Sequence, residues 1–234
     1  MQSHIKILST KVLSQASAAM LENKGASVFQ HNFIKTESIL TDADARLVNS
    51  LAQQGLHVIF TSANAVYAVA EKLQFQPKWK VFCINGKTRK TIEKLFTKVQ
   101  ILDSSPTGEL LAEKILTHSD VRHIVFFSGS RRLDTIPGAL MHAGFNLQEI
   151  VVYRTSLTPV RLDENFNGIL FFSPSGVESY FSVNRISKET TLFSIGPSTT
   201  KALKNYSGNI SECSFPSEEE LVDIAYGYFF RDKE

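Results

Sequence analysis

The residues of this chain that could do chemistry are small hydroxyl, amide and glycine residues, gathered in short segments beside a few cations. Each segment follows an apolar run typical of a buried strand and leads into a stretch of helical composition. The six segments are 10–11, 61–64, 85–88, 128–132, 173–176 and 196–200. Backbone N–H groups and hydroxyls at helix starts bind anions well, so we expect carboxylates or phosphates as ligand groups.

The same residue types also cap helices without any ligand. Ser, Thr and Asn are favoured N-caps because their side-chain oxygens accept hydrogen bonds from free backbone N–H groups. Capping alone therefore explains any single segment. Six such segments, in two repeated halves of the chain, favour a shared site for an anionic ligand.

The usual catalytic motifs are absent from the sequence. No GxGxxG follows a strand, no GxxxxGK[ST] occurs, and the segment 173–176 is not a GxSxG elbow. The six histidines are interpreted as structural, and Asp103 and Asp134 as isolated carboxylates. An enzyme with this sequence would act by holding a reactive substrate in shape.

Tyr153 is the one side chain with a distinct chemical possibility. It lies in the segment Val151-Val152-Tyr153-Arg154-Thr155, at a predicted crossing between the two halves of the chain. A strand tyrosine is usually a packing residue. Alternatively, its phenol points into a cleft as a hydrogen-bond donor or weak acid.

Two halves of the chain repeat one pattern of strand, polar turn and helix. Ser62 corresponds to Ser173 at an offset of 111 residues, and Gly86 corresponds to Gly196 at an offset of 110. This period is too long for a solenoid repeat. It indicates two copies of one domain, and we expect the ligand to contact both.

The alternation of strands and helices predicts parallel sheets covered by helices on both faces. Predicted strands are 5–9, 57–62, 81–85, 98–103, 123–128, 168–173, 192–196 and 209–214, with extended segments at 28–39 and 146–155. Predicted helices are 13–24 and those that start near Ala63, Lys87, Thr107 and Arg131 and after Ser173, Pro197 and Ser217.

The second copy has fewer strands than the first, and the N-terminal residues can supply the missing ones. We therefore expect a discontinuous α/β lobe of residues 1–33 plus 156–234, with an α/β lobe of residues 36–151 inserted in it. The crossings near 29–37 and 150–156 would form a two-stranded linker. The cleft between two such lobes is the expected ligand site.

Composition excludes several classes of function. The formal charge of +2 gives no case for nucleic acid as a partner, and no apolar run is long enough to span a membrane. Cys83 and Cys213 lie in predicted strands and are interpreted as buried reduced thiols, which favours a cytoplasmic location. Without CxxC, HExxH or a His–Cys cluster, the sequence does not support a metal site.

These features together resemble the uroporphyrinogen-III synthase family, over nearly the whole chain. The matching segments are 59–66, 86–88, 127–132, 144–155, 172–177 and 195–200. Thr10-Lys11 is similar to the family's early Thr-Arg, with Lys in place of Arg. Asn85 stands where the family often has Val or Ile before the glycine.

The resemblance implies two flavodoxin-like, doubly wound parallel-sheet lobes joined by a two-stranded linker. It implies a lyase of tetrapyrrole (haem) biosynthesis that cyclises linear hydroxymethylbilane, an octa-carboxylate, with loss of water and inversion of ring D. The family uses no metal and no organic cofactor. The resemblance leaves room for a transient contact with the preceding pathway enzyme, and it gives no role to nucleic acid or membrane.

The resemblance and the strand-end positions together select the candidate site residues. Tyr153 aligns with the family's important tyrosine and is the catalytic candidate, with a role in loss of the hydroxyl. The substrate-binding candidates are Thr10, Lys11, Ser62, Ala63, Asn64, Gly86, Thr88, Ser128, Gly129, Arg131, Ser173, Pro174, Ser175, Gly196, Pro197 and Thr199.

Two other functions remain open on the sequence alone. One is a two-lobed binding protein or sensor for a small anionic ligand, without catalysis. The other is a sugar- or phosphosugar-handling enzyme of doubly wound fold, which would be expected to show an Asp/Glu pair or a nucleotide loop. Turnover of hydroxymethylbilane separates a cyclase from both.

Overall fold

A computed structural model describes residues 4–231, and these alternate between strands and helices. The strands are β1 (Lys6–Ser9), β2 (Ser27–Gln30), β3 (Ile34–Ser38), β4 (His57–Phe60), β5 (Lys80–Ile84), β6 (Gln100–Ser105), β7 (His123–Gly129), β8 (Asn146–Leu157), β9 (Gly168–Phe171), β10 (Thr191–Ser194) and β11 (Ile210–Glu212). The helices are α1 (Gln15–Glu22), α2 (Asp42–Ala52), α3 (Ala63–Lys72), α4 (Lys87–Leu95), α5 (Gly108–Thr117), α6 (Thr135–His142), α7 (Pro174–Val183), α8 (Pro197–Leu203) and α9 (Glu218–Phe230).

The chain divides into two compact units. The first unit comprises Met1–Lys35 and Ser156–Glu234, of which residues 4–35 and 156–231 are described. Its five strands form one sheet in the order β11-β10-β9-β1-β2, with every neighbouring pair parallel. The strands near the N-terminus thus pair directly with those that follow residue 156.

The second unit, Thr36–Thr155, contains a six-stranded sheet in the order β3-β8-β7-β4-β5-β6. The pairs from β8 to β6 are parallel. Within it, the order β8-β7-β4-β5-β6 matches the order β2-β1-β9-β10-β11 of the first unit. The predicted fold class, two doubly wound parallel-sheet lobes, is confirmed.

The chain passes from one unit to the other in β3 and in β8. The two strands are neighbours in the sheet. They run antiparallel, because Phe33 is hydrogen-bonded to Thr158 and the later residue Ile39 to the earlier residue Val152. The Thr158 N–H donates to the Phe33 carbonyl at 2.9 Å, and the Ile39 N–H donates to the Val152 carbonyl at 3.1 Å. These strands form the two-stranded linker of the predicted fold.

Alternation along the strands gives each sheet two apolar faces. In β4, Phe60 packs with Trp79 and Phe127 under α2, α3 and α4, whereas Ile59 faces Phe126 under α5 and α6. In the first unit, one face of the sheet packs against α1 and α9 and the other against α7 and α8. Because both faces are covered, only the ends of the strands remain for ligands.

Two features between β2 and β4 differ from the sequence-based expectation. The segment 28–39, interpreted as one extended stretch, is two strands, and they belong to different sheets. Helix α2 was not predicted. A capping box begins it: the Thr41 hydroxyl accepts from the Asp44 N–H at 3.2 Å, and the Asp44 carboxylate accepts from the Thr41 N–H at 2.9 Å.

The predicted start of a helix near Arg131 is wrong, because α6 begins at Thr135. Pro137 explains the difference. A helix that began at Arg131 would hold Pro137 in its interior, where it removes a hydrogen bond and clashes with the preceding turn. Starting at Thr135 keeps Pro137 in the first turn, where proline is tolerated.

Candidate active site

In each sheet, successive strands lie side by side outward in one direction for one part of the chain and in the opposite direction for the other part. The two series meet at one topological switch point, the reversal point of the sheet. This point lies between β1 and β9 in the first unit and between β7 and β4 in the second. Ligands of open α/β sheets bind outside the carboxyl ends of strands at such a point. Many of the predicted site residues lie there, on the segments that follow β1, β9, β7 and β4.

At the reversal point of the first unit, two candidate hydroxyls are engaged by backbone. The buried Thr10 hydroxyl donates to the Leu170 carbonyl at 2.8 Å and so ties the ends of β1 and β9 together. The Ser173 hydroxyl accepts from the Gly176 N–H at 3.0 Å and caps α7. A Cβ on Gly176 would lie 3.3 Å from Ser173 Oγ and 3.7 Å from Thr10 Oγ1, so these residues pack closely.

Lys11 is the candidate cation of the first unit, and Glu218 balances its charge. The Lys11 ammonium pairs with the Glu218 carboxylate and lies 4.5 Å from the centre of the Phe172 ring. Glu218 also accepts from the Ser14 N–H at 2.7 Å. Burial raises the pKa of Glu218, but bonds from Lys11, Ser14 and Ser17 outweigh it and bring the pKa to about 2. Any anion that binds Lys11 would therefore share the ammonium with Glu218.

At the reversal point of the second unit, a one-residue bulge determines where Tyr153 lies. Ser128 aligns with Val151, but the next residue, Gly129, aligns with Tyr153, so Val152 is an extra residue in β8. Both Val152 and Tyr153 pack against the apolar cluster of Phe127. The bulge thus places two successive side chains on one face of the sheet.

The phenol of Tyr153 interacts with Ser62. Burial raises the pKa of Tyr153, and a hydrogen bond with the Ser62 side chain offsets part of that rise. The phenol is therefore protonated at neutral pH. Ser62 also accepts from the Asn64 N–H at 3.2 Å, which caps α3.

A cavity of about 140 Å³ lies beside Tyr153, within the second unit. Strand β3, helix α3 and Tyr153 itself line it, and it is open to solvent. Its lining residues are Thr36, Glu37, Ser38, Asn64, Tyr67, Ala68, Glu71 and Tyr153. Of the predicted site residues, the cavity joins Asn64 to Tyr153.

Ser128 lies on the opposite face of this sheet from Tyr153. Its hydroxyl donates to Glu149 Oε1 at 2.7 Å, and the Arg132 guanidinium binds both oxygens of the same carboxylate, at 2.7 and 2.8 Å. The bond from Arg132 is the main cause of the lowered pKa of Glu149. Arg131 is exposed in the turn after β7. Ser128 thus serves an ion pair and does not join the Tyr153 site.

The two glycine loops begin helices that no side chain caps. Gly86 precedes α4 with a φ of 71°, in the left-handed region, and Gly196 precedes α8. The first-turn N–H groups of α4 are available to anions. In α8, Pro197 has no N–H and the Thr199 N–H donates to the Gly196 carbonyl at 3.0 Å, so fewer donors remain there. Thr88 and Thr199 follow these glycines, yet both are buried, at 6% and 2% exposure. The loops therefore offer backbone groups to a ligand more readily than threonine hydroxyls.

Comparison with protein families gives one decisive match. A family model described as uroporphyrinogen-III synthase HemD matches residues 15–223. The chain belongs to this family. The matched range contains the strand ends of both units described above, except for the end of β1.

Solved structures of uroporphyrinogen-III synthases share the fold. A uroporphyrinogen-III synthetase from Helicobacter pylori is 17% identical, with a TM-score of 0.64, and the match covers 96% of this chain and 99% of that one. A mutant uroporphyrinogen III synthase from the extremely thermophilic bacterium Thermus thermophilus is 16% identical, with a TM-score of 0.67 and coverage of 96% and 97%. No curated protein matches the chain significantly.

Sequence reasoning missed three residues that shape the site of this family member. Glu218 was not among the predicted site residues, yet it pairs with Lys11. An acidic residue in the first turn of a helix is the only sequence signal it offers. Phe172 falls within the predicted strand 168–173 and was not a site candidate, but its ring lies under the Lys11 ammonium. Val152 gives no sequence signal of a bulge, since any apolar residue in β8 would look the same.

The described residues also bear on metals, membranes and cysteines. Within residues 4–231, no group of three or more His, Cys, Asp or Glu is placed to hold a metal ion. None of the helices in that range has the length and apolar character required to cross a bilayer. Cys83 and Cys213 are buried and unpaired, and burial raises their pKa values to about 11 and about 12. Both thiols are thus protonated and unsuited to act as nucleophiles.

Proposed function

We infer that this chain is a uroporphyrinogen-III synthase, a cyclising hydro-lyase of haem biosynthesis. It converts linear hydroxymethylbilane to uroporphyrinogen III, with inversion of ring D and loss of water. The observation that carries this conclusion is the family match over residues 15–223. The shared fold over 96% of the chain is consistent with it.

The chemistry places few demands on acid–base groups. The lone pair of a pyrrole nitrogen expels the terminal hydroxyl and leaves a reactive azafulvene. The enzyme must then direct closure through the inverted ring D, by way of a spiro intermediate, rather than directly. This is a task of orienting a flexible ligand, for which positioning supplies most of the rate.

Tyr153 is proposed to assist loss of the hydroxyl. A phenol is protonated at neutral pH, and burial raises the pKa of Tyr153 further, so it can donate a hydrogen bond or proton to the leaving oxygen. The cavity beside it and its interaction with Ser62, which follows β4 at the strand-reversal point, support this role.

The eight substrate carboxylates are proposed to bind at the strand-end loops. The helix start after Gly86, which no side chain caps, is the best-supported anion site. The loop at Gly196 offers fewer donors, because Pro197 has no N–H and the Thr199 N–H bonds to the Gly196 carbonyl. Lys11 adds a charge that it shares with Glu218. Further contacts are proposed through the Ser175 N–H and the side chains of Asn64 and Arg131, at exposed or half-buried helix starts and turns. Pro174 and Pro197 have no N–H, so they are proposed only as ring contacts to the substrate.

The cellular setting follows from the same chemistry. We propose a cytoplasmic location, supported by the two buried, unpaired thiols. A transient contact with the enzyme that makes hydroxymethylbilane is also proposed. Because this substrate closes spontaneously to the type I isomer, direct transfer would protect it.

The deciding experiment supplies purified protein with freshly generated hydroxymethylbilane. The products are oxidised and resolved into type I and type III isomers. Formation of type III above the level without enzyme establishes both cyclisation and ring inversion. Type I alone, at the spontaneous rate, would contradict the proposal and favour a two-lobed anion-binding protein.

A further inference from the structure

The ring of Tyr153 occupies the space that a side chain at Gly129 would fill. A Cβ built on Gly129 would lie 2.3 Å from Tyr153 Cζ, 2.5 Å from its phenol oxygen and 2.7 Å from Cε1. All three distances are far below a van der Waals contact. No residue other than glycine fits there unless the ring moves.

The strand order shows what this close approach makes possible. Tyr153 is on β8 and Ser62 follows β4, and β7 lies between these two strands. Neighbouring strands are about 4.8 Å apart, so the phenol must cross the end of β7 to approach Ser62. Gly129 is the last residue of β7, at the place where the ring crosses.

The bulge at Val152 is the second feature that allows the Tyr153 ring to cross the end of β7. Regular alternation would turn Tyr153 to the face of Glu149, where Ser128 and Arg132 are already bonded. Val152 is fully buried among the residues of the Phe127 cluster and anchors the extra position. As a result, Tyr153 faces the same side as the missing Gly129 side chain.

We propose that Gly129 is a positioning residue, whose lack of a side chain allows the Tyr153 phenol to lie across the end of β7 beside Ser62. The sequence had placed Gly129 among the substrate-binding residues, but its role here is exerted through Tyr153. The inference rests on the proposed function for its effect on catalysis. Its structural part can be tested without any activity.

The first test is a stability cycle with Gly129→Ala and Tyr153→Ala. Gly129→Ala should lower the melting temperature by several degrees in the native background, since the ring is displaced from its packing. In the Tyr153→Ala background the same change should lower the melting temperature little, because no ring clashes with the new methyl group. An equal loss in both backgrounds would overturn the proposal.

The matched control is Gly55→Ala. A Cβ at Gly55 meets no atom within 4 Å, and its φ is not in the left-handed region, so no clash and no backbone strain arise. Its melting temperature should be unchanged in either background. If Gly129→Ala does not fold, recovery of folding in the double variant supports the proposal, and failure of both variants overturns it.

The second test follows the phenol itself. An ultraviolet pH titration, taken as the difference between a protein and its Tyr153→Phe variant, reports the pKa of Tyr153. Gly129→Ala should move this pKa down towards its ordinary value, because the displaced phenol loses its burial. An unchanged titration would show that the ring had not moved and would contradict the proposal.

The third test measures kcat for formation of the type III isomer. Gly129→Ala should lower kcat about as much as Tyr153→Phe, and the double variant should be no slower than either single variant. If kcat of the double variant fell by the product of the two single reductions, Gly129 would act directly on substrate, and the proposal would be contradicted. If the native protein forms no type III isomer, the proposed function fails, while the stability cycle and the titration still decide the role of Gly129.

Discussion

At the scale of single residues, several hydroxyls at the strand ends are engaged by the protein's own backbone. Thr10 bonds to the carbonyl of Leu170, and Ser62 and Ser173 cap helices. The sequence could locate these residues at strand ends, because buried strands followed by caps leave a clear pattern. It could not separate capping from ligand binding, since both use the same side-chain oxygen.

Tyr153→Phe should fold normally and cyclise more slowly. The ring keeps its packing, whereas the leaving hydroxyl loses a proton donor, so we expect kcat to fall about 100-fold. Steady-state assay of the type III isomer measures this, and thermal unfolding checks the fold. Tyr67→Phe, which alters another tyrosine lining the same cavity, is the control. Unchanged kcat in Tyr153→Phe would remove the phenol from the mechanism.

Thr199 can be tested by two substitutions of different size. Thr199 is 2% exposed in the first turn of α8. Leu at this position should overpack the turn, cost about 1–3 kcal/mol of stability and distort the Gly196 loop, with loss of activity. Val keeps the shape and removes only the hydroxyl. If Thr199→Leu stays fully active, the Gly196 loop serves only to begin α8. If Thr199→Val loses activity although it keeps the shape of the side chain, the hydroxyl itself has a role.

The Glu218 carboxylate should contribute stability that depends on pH. Its folded-state pKa of about 2 lies below the ordinary value of 4.5, so the contribution is complete above pH 4.5 and is lost as the pH falls through 2. The free energies of unfolding of the native protein and Glu218→Gln, measured with denaturant, should therefore differ most near neutral pH and become equal below pH 2. Glu219→Gln, an exposed neighbour on the same helical turn, controls for the helix dipole. A difference that does not change with pH would contradict the assignment.

At the scale of elements, local signals predicted most strands and helices, whereas register did not follow from them. The helices after Ser62, Ser173 and Ser217 begin where their caps indicate. The bulge in β8 depends on how that strand pairs with β7, which is a non-local property. The placement of Tyr153 therefore could not be predicted, although its position in a strand could.

Helix α2 provides a test of an element that was not predicted. Thr41→Ala removes the hydroxyl of its capping box and should destabilise the protein by about 1 kcal/mol. Urea unfolding followed by circular dichroism measures the change. Ser50→Ala, an exposed position late in the same helix, should change stability by less than about 0.5 kcal/mol. Equal effects of the two substitutions would show that the cap does not hold the helix start.

At the scale of the whole molecule, the internal repeat was the most informative sequence feature. The 111-residue offset between Ser62 and Ser173 relates β4 and α3 to β9 and α7. It predicted two similar sheets because buried strands and their caps are constrained in the same way in both copies. The repeat could not predict how Lys11 is paired or how Tyr153 is seated, since neither residue has a counterpart of its type in the other copy.

The two sheets share one spatial order of strands, but the equivalent strands follow one another along the chain in a different sequence in each unit. In the second unit β4, β5 and β6 precede β7 and β8, whereas in the first unit the counterparts of β7 and β8 come first, as β1 and β2. One unit is therefore a circular permutation of the other. Helix α9 packs on α1 as α5 packs on α6, and α5 leads into β7 through residues 118–122. A chain with residues 156–231 placed before residues 4–35 and joined by a similar short loop would keep every strand neighbour, and so would make the first unit a continuous domain.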